Sequence, residues 1–145
     1  MVNSSKPNLL FLCTGNSCRS QMAEGWARQL HGDKFNVYSA GTVAQGLNPL
    51  AVRAMAELGV SIAHHHSKTV ADLTDVMFDY VVTVCDHARQ RCPLFPGQTR
   101  LIHQPFDDPP QLAASAGTEL EALGHYLHVC DQIRNWVTHL PSSLT

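Results

Sequence analysis

The chain has 145 residues, of which 44% are hydrophobic and 15% charged. That is the length of one domain able to bury its own core, with a composition that excludes a disordered chain. Ten Lys and Arg against 12 Asp and Glu give a formal charge of -2, so no basic excess points to nucleic acid or to an acidic membrane surface. Apolar runs such as Asn8–Cys13 and Tyr80–Cys85 are far shorter than a membrane span. The first residues, MVNSSKPN, lack the apolar region of a signal peptide, so a cytoplasmic address is expected.

In chain order, residues 1–7 read as a flexible tail ahead of a single α/β catalytic domain over 8–145. Asn8–Cys13 is a compact apolar run and reads as a buried strand. Ser17–His31 reads as a helix, because Met22, Ala23, Trp26, Ala27 and Leu30 recur at helical spacing. Phe35–Ser39 alternates as a strand that Ala40-Gly41-Thr42 ends. Asn48-Pro49 is a helix cap followed by a first-turn proline, and Gly59 stands where that helix should close. Val70–Asp75 predicts a short helix, Asp79–Cys85 a strand covered on both faces, and Arg100–His103 a short strand. Thr118 with Glu121 matches a capping box. It opens a long helix to about Leu140 with an apolar stripe of Leu120, Leu123, Leu127, Cys130, Ile133 and Val137. Strands alternating with helices predict a three-layer α/β fold, a four-stranded parallel sheet with helices on both faces. Ligands in such sheets bind beyond the carboxyl ends of the strands.

Five cysteines stand in the chain: Cys13, Cys18, Cys85, Cys92 and Cys130. An odd number without an export signal predicts reduced thiols rather than a disulfide framework. The Cys13–Cys18 and Cys85–Cys92 spacings are wider than a zinc knuckle requires, so thiol chemistry is the better reading. Cys13-Thr14-Gly15-Asn16-Ser17-Cys18-Arg19-Ser20 lies between a strand and a helix. Gly15 and Asn16 tolerate positive φ, so the backbone can curl its N–H groups around an anion. The helix start adds its positive dipole end, and Arg19 offers a planar fork for a tetrahedral oxyanion. Cys13 then lies on the floor of the cradle, where the same field lowers the thiol's pKa. Ser20 is placed to hydrogen-bond its sulfur, and Cys18 to pack beneath the loop. A thiolate beneath a docked oxyanion is a nucleophile already in position.

Cys85 and Cys92 flank a segment in which 86–91 can form a helix. In that form the two would lie about 10 Å apart along the axis, whereas a disulfide needs Cα atoms within roughly 7 Å. They are either unrelated thiols or a resolving pair whose union requires the segment to unwind, and Pro93, Pro96 and Gly97 favour loop. Asp107-Asp108-Pro109-Pro110 follows the fourth strand. One Asp there either donates a proton to a leaving oxygen at the cradle or caps a helix ahead of proline.

The run from Leu10 to Gly25 resembles the phosphate-loop signature of the low-molecular-weight tyrosine phosphatase superfamily. Within it the chain is similar to the thioredoxin-coupled arsenate reductases. Gln21 stands where phosphatases usually carry Pro, Cys85 and Cys92 have the reductase spacing, and Phe-Asp-Asp-Pro-Pro replaces the Asp-Pro and tyrosines of phosphatases. The resemblance implies that Cys13 attacks arsenate in the cradle of Thr14, Gly15, Asn16, Ser17, Cys18 and Arg19. Asp108 would protonate the leaving hydroxide. Cys85 would then resolve onto Cys13, Cys92 onto Cys85, and thioredoxin would reduce the resulting pair, with no cofactor. Phosphate or sulfate would mimic the substrate. The alternatives are a phosphatase acting on phosphate monoesters and a non-catalytic oxyanion-binding protein, whose Cys13 would titrate as an ordinary thiol near ~8.5. Some members hold potassium, and Asn16, Glu24 and Ser39 match that pattern. The loop 67–69 reads Ser-Lys-Thr, with Thr69 where an Asp is needed and the added charge of Lys68, so no metal is expected. His64-His65-His66 reads as a polar loop, and His125 and His128 as a solvated helix face.

Overall fold

The computed structural model describes residues 6–86, 88, 92, 95 and 98–144. Its strands are β1 (Asn8–Cys13), β2 (Asn36–Gly41), β3 (Tyr80–Thr83) and β4 (Arg100–His103). Its helices are α1 (Arg19–His31), α2 (Pro49–Glu57), α3 (Pro109–Ala113) and α4 (Glu119–Thr138), with 3₁₀ turns at Val70–Leu73 and Ser142–Leu144. All strand pairs are parallel, in the order β2-β1-β3-β4. Leu9, Leu10, Phe11 and Leu12 are each 0% exposed. Successive strand residues point to opposite faces, so β1 is covered on both. This is the expected three-layer α/β architecture. No helix among the described residues is long and apolar enough to cross a membrane.

α1 packs on β1 and β2 and against α4, and α2 packs on both α1 and α4. At the α1–α2 contact Gly25 is closely approached: a Cβ there would lie 2.7 Å from Ile62 and 2.8 Å from Met55. α2 begins as its sequence dictates, with the Asn48 side chain accepting from the amides of Leu50 (2.9 Å) and Ala51 (3.3 Å) and Pro49 in the first turn. It closes at Gly59, whose φ of 89° no other residue type adopts as readily.

Several boundaries move. α1 starts at Arg19 rather than Ser17, because 14–18 is spent on the loop. β2 runs on to Gly41, which pairs with Cys13 in β1 and bridges to Thr69. β3 ends at Thr83, so Cys85 stands two residues beyond the strand rather than at its end. Pro105 has no N–H to continue the ladder from β4, and the bonding skips from Gln104 to Phe106. The residues 70–75 form a 3₁₀ turn over Val70–Leu73 capped by Thr69 and Asp72. On α4 the capping is one-sided: Thr118 accepts the Glu121 amide, but the Glu121 carboxylate takes the amide of Gly117. Leu120 is 73% exposed and leaves the predicted stripe, while Tyr126 and Val129 join it. The first turn of α4 extends beyond the core, where its apolar side chain meets no partner layer. Of the predicted tail, 1–5 lie outside the described residues. Lys6 donates to the Gly32 carbonyl and the Pro7 carbonyl accepts from Asn36.

Candidate active site

The carboxyl ends of all four strands converge on one place. Cys13 ends β1, Gly41 ends β2, Cys85 follows β3, and Phe106 to Asp108 follow β4. Asn16 makes the loop turn. Its φ of 48° is the one left-handed value among the described non-glycine residues, a conformation asparagine tolerates better than most. The side chain is held throughout. Its Oδ1 accepts from the Lys68 amide (2.9 Å) and Gln21 Nε2 (3.0 Å). Its Nδ2 donates to Ser20 Oγ and Ser39 Oγ, both at 2.9 Å. Ser20 therefore accepts from Asn16 and has its own hydrogen free for Cys13 Sγ, 3.1 Å away. The α1 cap, Cys18, makes no side-chain cap bond. The first amides of the helix thus remain available to an anion rather than to a neighbouring side chain.

Cys13 is buried at 4% exposure, at the base of this loop. Burial, then the neighbouring Cys13, pushes the Cys18 thiol well above its usual value. Cys18 is therefore a neutral packing thiol and Cys13 the sulfur served by a hydroxyl. Arg19 closes the mouth. One terminal nitrogen donates to the Phe106 carbonyl at 3.0 Å, and the other lies 3.6 Å from Asp108 Oδ1. Asp108 occupies the cap position of α3 but makes no side-chain cap bond. Its carboxyl faces Arg19 instead of capping the helix.

Cys85 is buried, with its sulfur 3.4 Å from Thr14 Oγ1 and accepting from the Ala88 amide at 3.4 Å. A second thiol thus stands one hydrogen bond from the residue that follows Cys13. Cys92 is half-buried, and burial raises its pKa. Asp86 and Ala88 are helical, consistent with the wound form. Positions 87, 89–91, 93, 94, 96 and 97, which carry the rest of the predicted helix and the loop prolines, lie outside the described residues.

Asn16, Ser39 and Glu24 do come together, but as a closed chain. Ser39 donates to Glu24 Oε1 at 2.5 Å, and Arg28 Nε donates to Glu24 Oε2 at 2.8 Å. Asn16 turns its NH₂ toward Ser39, fixed by the Lys68 amide on its other side. The Glu24 carboxylate also attracts the partly buried Lys68 ammonium and His65 Nε2, 3.9 Å away. Oxygens already bonded, with the Arg28 guanidinium and the Lys68 ammonium beside them, do not fit a metal ion. Sequence reasoning missed the supports behind the loop. His65 belongs to a polar loop, as expected, yet its Nδ1 bonds Gln21 Oε1 at 2.9 Å and its side chain is only 6% exposed. Ser67 donates to the Gly15 carbonyl. Gln45 lies so close over Gly15 that a Cβ there would meet its Oε1 at 2.2 Å. Only the adjacency of these residues in space reveals them.

A buried thiol at the base of this loop, with a hydroxyl, an arginine and a carboxyl around it, is an arrangement suited to nucleophilic chemistry on tetrahedral oxyanions. The family model described as low molecular weight phosphotyrosine protein phosphatase matches residues 8–144. An arsenate reductase of Bacillus subtilis is 48% identical over 129 residues, covering 88% of this chain and 89% of that protein. Among solved structures, an arsenate reductase in a phosphate-binding state superimposes with a TM-score of 0.72 at 25% identity, covering 96% and 99% of the two chains. A thioredoxin-dependent arsenate reductase of Corynebacterium glutamicum gives 0.71 at 26%, covering 99% of this chain and 64% of that one. The chain belongs to the low molecular weight phosphotyrosine protein phosphatase family.

Proposed function

We propose that this protein is an arsenate reductase that reduces arsenate to arsenite through a three-cysteine relay regenerated by thioredoxin. The observation that carries the reading is the buried Cys85 sulfur 3.4 Å from Thr14 Oγ1, beside the nucleophile. A hydrolase needs one thiol at its cradle, whereas a reductase must deliver two electrons and needs a second. The names of the relatives support the same substrate and reductant.

Cys13 attacks arsenic(V), with Arg19 and the loop amides holding the oxyanion and Asp108 giving a proton to the departing oxygen. Cys85 then attacks Cys13 Sγ. The S–As bond breaks, its electron pair leaves with arsenic as arsenite, and a Cys13–Cys85 disulfide remains. Cys92 attacks Cys85, and Cys13 departs as thiolate. A dithiol of the thioredoxin class reduces the Cys85–Cys92 pair.

Cys92→Ser should complete one turnover and stop with Cys13 and Cys85 joined, as read by mass spectrometry after quenching. Cys85→Ser should lose arsenate turnover while any hydrolysis of phosphate monoesters persists. Sustained arsenate reduction in both variants would remove the relay.

A further inference from the structure

Cys92 shares a cavity of about 270 Å³ with Thr83, Leu101, Ile102 and His103. Two of its walls are apolar, and among the described residues no cationic side chain lines it apart from the imidazole. His103 is tethered at both ring nitrogens. Its Nε2 lies 2.9 Å from Asp86 Oδ1 and its Nδ1 2.8 Å from Thr83 Oγ1. Asp86 can only accept, so Nε2 carries a hydrogen. In the neutral ring Nδ1 is then a bare base accepting from the Thr83 hydroxyl. Thr83 Oγ1 also lies 3.5 Å from the Ile102 carbonyl. If Nδ1 gains a proton, the hydroxyl can turn toward that carbonyl and accept from the ring. The site is therefore wired for both protonation states, with a carboxylate behind the ring to hold the cation. A base oriented by a carboxylate, on the wall of a cavity that holds a thiol, is the arrangement that activates sulfur nucleophiles. The cavity is wide enough for a water to bridge the Thr83 hydroxyl and the thiol.

We propose that His103, oriented by Asp86 and Thr83, is the general base that takes the Cys92 proton in the second exchange. The inference rests on the relay reading given above. As Cys92 Sγ bonds to Cys85 Sγ, the Cys13–Cys85 bond breaks and Cys13 leaves with the electron pair. The thiol proton passes to the Thr83 hydroxyl, which gives its own hydrogen to His103 Nδ1, and Asp86 stabilises the imidazolium. No external oxidant or reductant enters this step. Asp86 immediately follows Cys85, so the carboxylate behind the base is delivered by the residue next to the sulfur under attack. The described groups facing His103 are Thr83 of β3, Asp86 beyond it, and Cys92 across the cavity.

The test is a single turnover of reduced protein with arsenate, quenched at intervals between pH 6 and 9, with each disulfide counted by mass spectrometry. In His103→Gln, formation of the Cys85–Cys92 pair should slow about 10–100-fold near pH 6.5. The deficit should shrink as pH rises toward 9, because hydroxide then forms a growing share of the thiolate without the ring. Asp86→Asn should show a smaller deficit of the same pH form. A merely structural role would slow both exchanges alike at every pH. Equal slowing, or a wild-type rate of the second exchange in His103→Gln at all pH values, overturns the proposal. If the wild type itself never joins Cys85 to Cys92, the relay and this inference fall together. If it does and His103→Gln matches it, only the role of His103 falls.

Discussion

Gly41 carries the anion loop on its back, and replacing it by alanine tests that directly. Its φ lies outside the left-handed range, in contrast to Gly46 and Gly59, so alanine suits the backbone and any effect is steric. A Cβ at 41 would stand 2.4 Å from the Val43 carbonyl oxygen, 2.6 Å from that of Thr14 and 2.8 Å from the Asn16 nitrogen. To reach the 3.4 Å of ordinary contact these backbone atoms must retreat by about 1.0, 0.8 and 0.6 Å. None belongs to a flexible side-chain end. Two of the three are in the loop around Cys13, and the displaced atoms include the acceptor of the Val43 amide bond to Thr14 (3.0 Å). Overpacking of this kind costs about 1–3 kcal/mol. A shift approaching 1 Å at a preorganised site costs on the order of 100-fold in rate. Gly41→Ala should therefore unfold some ~3–10 °C earlier, while arsenate reduction falls about 100-fold. Gly124→Ala, in α4 with nothing within 4 Å of the new methyl, is the control and should be neutral or gain about 0.5–1 kcal/mol. Calorimetry and initial rates with a thioredoxin system measure both. A Gly41→Ala protein of wild-type rate and melting temperature would refute the claim that the loop rests on this residue.

Two further outcomes follow from the hydrogen bonds around the loop. Ser20→Ala removes the hydroxyl 3.1 Å from Cys13, a bond worth about 1.5–3 kcal/mol to a reacting thiolate. Alkylation of Cys13 at neutral pH should slow about 10–150-fold, and an unchanged alkylation rate contradicts the assigned donor. His65 is held below its usual value near 6.5, chiefly by burial, against the pull of Glu24 and with His64, Arg28 and Lys68 adding to the depression. The unfolded chain therefore binds that proton more readily, so stability falls as pH drops below about 6.5 and levels off beneath the folded-state value. His65→Asn lacks this contribution, so its stability deficit relative to wild type should narrow between pH 7.5 and 5.5 in urea titrations. A constant deficit means the imidazole does not titrate on unfolding.

The elements whose signals are local were legible in the sequence. The Asn48-Pro49 cap, the Gly59 stop and the Arg100–His103 strand depend on neighbours in the chain and stand where the residues place them. The Cys13–Ser20 loop was legible for the same reason, since nucleophile, hydroxyl and arginine fall on one strand–loop–helix turn. What was illegible depends on contacts over long separations. The Asn16 side chain is held by Gln21, Ser39 and Lys68, and no periodicity links those positions. Leu120 satisfies the helical spacing but lies one turn beyond the layer that would cover it. Asp108 stands at the cap position of α3 as its place before proline suggests, but its carboxyl turns to Arg19, a contact far along the chain that the sequence does not display.

The Cys13–Ser20 loop and Gly41 grow out of the β1–β2 half of the sheet, whereas Cys85, Asp86 and His103 grow out of the β3–β4 half. Grip and electron delivery are thus separately editable. Changes to the segments that follow β3 and β4 would alter the accessory thiols while leaving the Cys13–Ser20 loop in place.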